Sequence, residues 1–211
     1  MIFTVNSKDE KKLIPLNESE GEAKCLGSSF IARLVPISSL EEWKAKEESF
    51  KKDHPKADHY PYGLMVEGTS RSNDDGEPGG SAGRPLLGLL ENHHLYNCAI
   101  IVARYFGGSK LGIPRLRRCF LESAENAISN ARLGQIKKKL SYSFEVDYPT
   151  YDRLNSLKDR LGFEMNVSDF GVKISLTILA SDKIDRLFEG RGIDIDIPTP
   201  IEVEAIEEEK I

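Results

Sequence analysis

Between Asn73 and Phe120 the chain reads NDDGEPGGSAGRPLLGLLENHHLYNCAIIVARYFGGSKLGIPRLRRCF. An acidic turn and a glycine-rich loop lead into a short helix. The apolar run Cys98–Phe106, rich in β-branched Ile100, Ile101 and Val102, then reads as a well-buried strand. A second glycine-rich loop follows and opens an arginine-rich helix. Each helix start leaves backbone N–H groups unpaired and carries partial positive charge, so the stretch holds two candidate anion sites.

The flanking sequence fits mixed α/β structure. Residues 1–20 read as a loosely held start, and Ala23–Val35 as a strand interrupted at Gly27. A helix follows, capped by Ser38 or Ser39, with Glu41 and Glu42 in its first turn and Leu40, Trp43 and Phe50 on its buried face. It ends before Pro55. His59–Gly68 reads as a strand with a bulge at Gly63, and Thr69–Gly80 as a polar connection. Ser81 is the expected cap of the next helix. After the loop Gly107–Gly112, Pro114 suits a first helical turn. Leu116, Phe120, Ala124, Ala127, Ile128 and Ala131 recur at helical spacing up to a stop at Gly134.

Around Gly134–Lys138 the pattern resets, which divides the chain into domains 1–136 and 137–211. In the second, strands at Leu140–Val146, Phe163–Val167, Val172–Leu179 and Ile201–Ile206 alternate with helices at Tyr151–Leu161 and Ser181–Glu189, the latter capped by Ser181 or Asp182. The order βαββαβ predicts a ferredoxin-like α/β sandwich. The final EEEKI reads as a solvated tail.

The formal net charge is −5. Residues 1–136 are charge-balanced, so the whole deficit falls in the C-terminal domain. Asn92–Leu121 contains Arg104, Lys110, Arg115, Arg117 and Arg118 and no acidic residue. One concentrated basic segment on a mildly acidic chain points to a local phosphate or RNA contact rather than a general nucleic-acid coat. Three arginines at a helix start oppose the helix dipole by about 0.3–1 kcal/mol each, a local conflict of the kind that marks function. The competing reading is a solvated face with pairs such as Arg118–Glu122. No apolar run approaches the roughly 20 residues of a membrane span, and Met1–Glu10 is too polar for a secretory signal. The expected location is the cytoplasm, and Cys25, Cys98 and Cys119 are expected as reduced, packed thiols without a redox role.

Catalytic patterns fail one by one. Gly79-Gly80-Ser81-Ala82-Gly83 fits G-x-S-x-G, but Asp74–Pro78 stand where a nucleophile elbow needs a strand. The glycine loops lack the order of a P-loop. His54, His59, His93 and His94 have no third ligand at metal spacing. Asp74, Asp75 and Glu77, around Gly76, read either as a solvated turn or as carboxylates for Mg²⁺ or for the arginines of the second loop.

The strings NDDGEPGGSAGRP and ARYFGGSKLG resemble the signatures D-D-G-E-P-x-G-[ST]-A-G and R-Y-[FY]-G-G-x-x-L-G of the YigZ/IMPACT family, with weaker matches at SSFIA and HPKADHY. Leu111-Gly112-Ile113-Pro114-Arg115-Leu116 departs from the L-G-x-G-G-L usual in bacterial relatives. The resemblance implies an N-terminal domain similar to ribosomal protein S5 domain 2, a ferredoxin-like C-terminal domain similar to part of elongation factor G, and a role in translation control. It implies no catalytic residue, cofactor or metal. The expected contacts are RNA, the ribosome or a translation factor. Arg104, Lys110, Arg115, Arg117, Arg118, Gly107 and Gly108 would meet phosphate, and Asp74, Asp75, Gly76, Glu77, Ser81, Gly83 and Arg84 would form the facing loop. The C-terminal domain is expected to contact protein or to orient the first domain. The alternative is a nucleotide-dependent enzyme binding phosphate at the glycine loops and Mg²⁺ at Asp74 and Asp75.

Overall fold

The computed structural model describes residues 12–193 and 195–208. Residues 1–11 of the expected loose start and 209–211 of the expected tail lie outside them. The chain is mixed α and β and falls into two compact units, 12–136 with 207–208, and Lys137–Ile206.

In the first unit, β1 (Leu13–Pro15) belongs to the segment expected to be loose, yet it pairs with Leu133–Gln135. The main sheet contains β2 (Ser19–Cys25), β3 (Ser28–Pro36), β4 (Tyr62–Val66), β5 (Thr69–Asn73) and β6 (Cys98–Tyr105) in the antiparallel order β2-β3-β6-β4-β5. The strand expected at Ala23–Val35 is therefore a hairpin. Leu26 and Gly27 both have positive φ, 44° and 83°, which matches the twist of the flanking strands. The Thr69–Gly80 connection begins as edge strand β5, whose polar TSRSN sequence suits an edge. Gly63 forms no bulge. Its missing side chain lets the Leu87 backbone approach, where a Cβ would lie 2.5 Å from the Leu87 nitrogen.

Strand β6 is buried on both faces. Cys98, Ile100 and Val102 pack with Phe30 and Leu34 against α2 (Gly83–Asn92) and α3 (Ile113–Ser129). Ala99, Ile101 and Ala103 face the layer of α1 (Leu40–Asp53), with Trp43 and Phe50. Period-two alternation thus feeds two cores from one strand. Ser39 caps α1 through the Glu42 N–H at 3.2 Å, and the Glu42 carboxylate returns to the Ser38 N–H at 2.7 Å. These reciprocal bonds tie down the helix start. Helix α3 stops at Ser129, before the expected Gly134, because the chain has already turned toward β1: Asn17 Oδ1 accepts from the Arg132 N–H at 2.8 Å.

In the second unit the segment read as a linker is part of β7 (Leu133–Val146). It is followed by α4 (Tyr148–Leu161), β8 (Glu164–Phe170), β9 (Ile174–Ala180), α5 (Ile184–Phe188) and β10 (Ile201–Glu208). The strand order β10-β7-β9-β8 is that of a split βαββαβ sandwich. Its core joins Tyr142, Ile174, Leu176 and Ile178 to Leu154, Ile184 and Phe188. Asp147 caps α4, and left-handed Gly162 (φ 71°) ends it. The cap of α5 is Lys183, without a side-chain bond, rather than Ser181 or Asp182.

Cys25 and Cys119 are joined as a disulfide, against the expectation of reduced thiols. The cause is geometric: the end of β2 lies under α3, bringing the two Cα atoms to 6.5 Å. Cys98 remains a free, buried thiol whose pKa burial raises.

Candidate nucleic-acid interface

The first glycine loop is organised by Asp74. Its Oδ1 accepts from the N–H groups of Ala82 (3.0 Å) and Gly83 (2.8 Å), and its Oδ2 from that of Gly80 (2.8 Å). Ala82 is the cap residue of α2 and offers no side-chain bond, while the expected cap, Ser81, is buried with its hydroxyl unpartnered. A carboxylate several residues upstream does the capping because the loop folds back over the helix start. Burial pushes the Asp74 pKa up, but the three N–H donors outweigh it and hold the carboxyl below the usual carboxylate range. The first candidate anion site is therefore filled by the chain's own anion.

The rest of this loop is held as firmly. Asp75, at φ 47°, accepts from the Tyr60 N–H at 2.7 Å. Gly76 lies beside the His59 ring, and a Cβ on Gly83 would meet the Asn73 backbone at 2.6 Å. Arg84 is exposed on α2. Among the described residues no group of three His, Cys, Asp or Glu is arranged to hold a metal ion.

Glu77 is buried and accepts from Arg104 Nη1 at 2.7 Å. This corrects the expectation for Arg104, which was grouped with the phosphate contacts. It occupies the end of β6 on the α2/α3 face, where its guanidinium lies 5.6 Å from the Phe30 ring centroid and 5.7 Å from that of Phe106. A cation in that position is available to Glu77 and two aromatic rings, not to an external phosphate.

The second loop sits against the β2–β3 turn. Gly107 and Gly27 touch backbone to backbone, so closely that a Cβ on Gly107 would fall 1.9 Å from the Gly27 carbonyl carbon. The Gly107 N–H donates to Ser28 Oγ at 3.0 Å and the Phe106 N–H to Asp58 Oδ2 at 2.8 Å. Gly108 and Gly112 take positive φ, 82° and 71°, and Gly112 caps α3 without a side-chain bond.

The register of α3 on β2 fixes what the helix start adjoins. Gly21 lies under the backbone of Ser123 and Ala127, and Cys25 is bonded to Cys119. Each helical turn thus covers about two strand residues, which brings the next turn, around Arg115, to the Leu26–Gly27 hairpin. Lys110 in the loop and Arg115, Arg117 and Arg118 in the first two turns of α3 are all exposed; the first turn has no acidic residue, and Arg117 and Arg118 border a surface hollow that Glu122 and Glu125 also line. None of the four has an ion-pair partner among the described residues, and the Arg118–Glu122 pair permitted by the spacing does not form.

Residues 26–128 match the family model of the Impact N-terminal domain. The "IMPACT family member in pol 5'region" of Thermus thermophilus is 33% identical over 130 residues, 62% of this chain and 71% of that one. The chain belongs to the IMPACT family. An IMPACT family member of Haemophilus influenzae is 26% identical over 181 residues, covering 83% of this chain and 88% of its own. A crystal structure of a hypothetical protein shares the fold, at a TM-score of 0.58 and 21% identity over 95% of this chain and 98% of that one. The Impact match begins at the hairpin turn and ends within α3, so it contains both glycine motifs and the Glu77–Arg104 pair.

Sequence reasoning offered Glu77, with Asp74 and Asp75, to the arginines of the second loop without singling out Arg104, and missed Asp58, Ser28 and Phe106. The Arg104 pairing had a sequence signature, since a cation at the end of an otherwise apolar strand needs a buried partner. Asp58 and Ser28 had none, because their targets are backbone groups distant in sequence.

Proposed function

We propose that this IMPACT-family chain is a non-catalytic, translation-associated regulator that binds RNA phosphates, in a ribosomal setting, through Lys110, Arg115, Arg117 and Arg118. The observation carrying this reading is the contrast between the two helix starts. At α2 the chain's own Asp74 neutralises the N-terminal N–H groups. At α3 no acidic or capping side chain does so among the described residues, and the loop and first two turns carry four exposed cations without ion-pair partners among those residues. An anion from outside relieves both the repulsion among the cations and their conflict with the helix dipole. The translational setting is what the motif resemblance implies.

Gly107 and Gly108 serve this reading by shaping the loop, and the Asp74–Glu77 motif by anchoring it. The acidic C-terminal unit, with Phe170 and Val172 exposed, is assigned to protein contact. Magnesium at Asp74 and Asp75, as a nucleotide-dependent enzyme requires, would compete with the backbone N–H groups those carboxylates already accept.

Co-sedimentation with ribosomes across a salt series tests the proposal. Wild type is expected to sediment at low salt and to release as salt rises, while Arg115→Glu/Arg117→Glu/Arg118→Glu, folded by circular dichroism, fails to sediment. Equal binding by the triple variant would overturn it.

A further inference from the structure

The loop that carries exposed Lys110 also carries an aromatic ring held out to solvent. Phe106 is 49% exposed, in a segment whose backbone is pinned at two successive residues, by Asp58 and by Ser28. Arg104 lies against the ring, and buried Glu77 holds Arg104 in turn. The exposed Leu26 (57%) belongs to the turn in backbone contact with Gly107, and the exposed Ile113 (54%) opens α3. An exposed ring on a pinned backbone, in a loop that carries Lys110 and leads into the arginines of α3, offers the two elements that single-stranded nucleic acid needs: a surface for an unstacked base and charges for phosphates.

We propose that Phe106 is a stacking platform, and that the ligand class of this surface is single-stranded RNA rather than duplex. The inference rests on the phosphate-binding reading above and adds the base. A duplex keeps its bases stacked internally and presents only phosphates and sugars, so it engages the cations and leaves the ring idle. An exposed ring in the same loop as exposed cations favours RNA, which offers bases and phosphates together, over an acidic protein segment, which offers charge alone.

Fluorescence anisotropy with a labelled oligouridylate and a blunt RNA duplex of equal phosphate count tests this, using wild type, Phe106→Ala and Phe106→Trp. The single strand is expected to bind more tightly than the duplex. Phe106→Ala should weaken single-strand binding by on the order of tenfold, with duplex binding and the salt slope unchanged. Phe106→Trp should restore affinity, and its emission should be quenched by the oligonucleotide against the constant background of buried Trp43. Salt-dependent binding of both RNAs with equal affinity, or an unaffected Phe106→Ala, would overturn the platform and leave the phosphate reading standing. Absence of salt-dependent binding to either RNA would overturn both and point to a protein occupant.

Discussion

Arg104 Nη1 donates to Glu77 Oε1 at 2.7 Å, with the two side chains 10% and 1% exposed. This one buried pair locks the acidic glycine motif before α2 to the end of β6, from which the second glycine loop departs. The two motifs are therefore a single structural unit.

Glu77→Ala is expected to cost about 3–5 kcal/mol, because it strands a buried guanidinium. The double variant Glu77→Leu/Arg104→Met, which removes both charges, should recover most of that loss. Urea unfolding of the three proteins measures it. A double variant as unstable as the single would mean that the charges are not coupled.

Asp74→Ala should destabilise by roughly 0.5–2 kcal/mol, the usual cost of losing a cap. The effect depends on pH. The folded pKa lies below the unfolded value of about 3.9, so the carboxylate's stabilisation is fully present above that value and is lost as pH falls through the folded pKa. Urea midpoints should thus fall more steeply for wild type than for Asp74→Asn on going from about pH 5 to pH 2.5. Asp147, the α4 cap with a similarly lowered pKa, retains its own acid sensitivity in both proteins.

The Cys25–Cys119 disulfide closes a sequence separation of 94 residues. Reduction is expected to lower stability by about 2–4 kcal/mol, read as a drop in Tm on adding dithiothreitol. Cys25→Ser/Cys119→Ser should show the lower Tm with or without reductant. In the oxidised, denatured protein, maleimide should label Cys98 alone.

Two glycine-to-alanine changes should act in opposite directions. Gly21→Ala would press its Cβ to 2.2 Å from the Ala127 nitrogen and should destabilise by about 1–3 kcal/mol as α3 is pushed off β2. Gly88, in the interior of α2, has nothing within 4 Å of the place a Cβ would occupy, so Gly88→Ala should stabilise by about 0.5–1 kcal/mol. Thermal melts check both.

The strand β6 and the helices α1 and α3 were legible because long apolar side chains recur at strand or helix period. Strand β2 was less so. Its inward residues are Ser19, Gly21, Ala23 and Cys25, small because α3 packs close, and small residues carry little hydrophobic pattern. Edge strand β5 is polar and escaped for the opposite reason, having little to bury. At the site, charge clustering brought Lys110, Arg115, Arg117 and Arg118 to notice, and the structure leaves them exposed. Arg104 was grouped with them by sequence distance alone. Its placement depends on Glu77, 27 residues away: a cation ending an apolar strand signals the need for a buried partner but not which carboxylate supplies it.

The cap of α2 has a bearing on the order in which this protein folds. Most helices carry their start signal on the residue beside them and can flicker into shape alone. This one has its signal on Asp74, beyond a glycine loop and next to β5. Ten residues with no local cap nucleate poorly in water. Helix α2 should therefore stay unformed until the β4–β5 hairpin has turned Asp74 toward it, which makes that hairpin the earlier event and α2 its dependent.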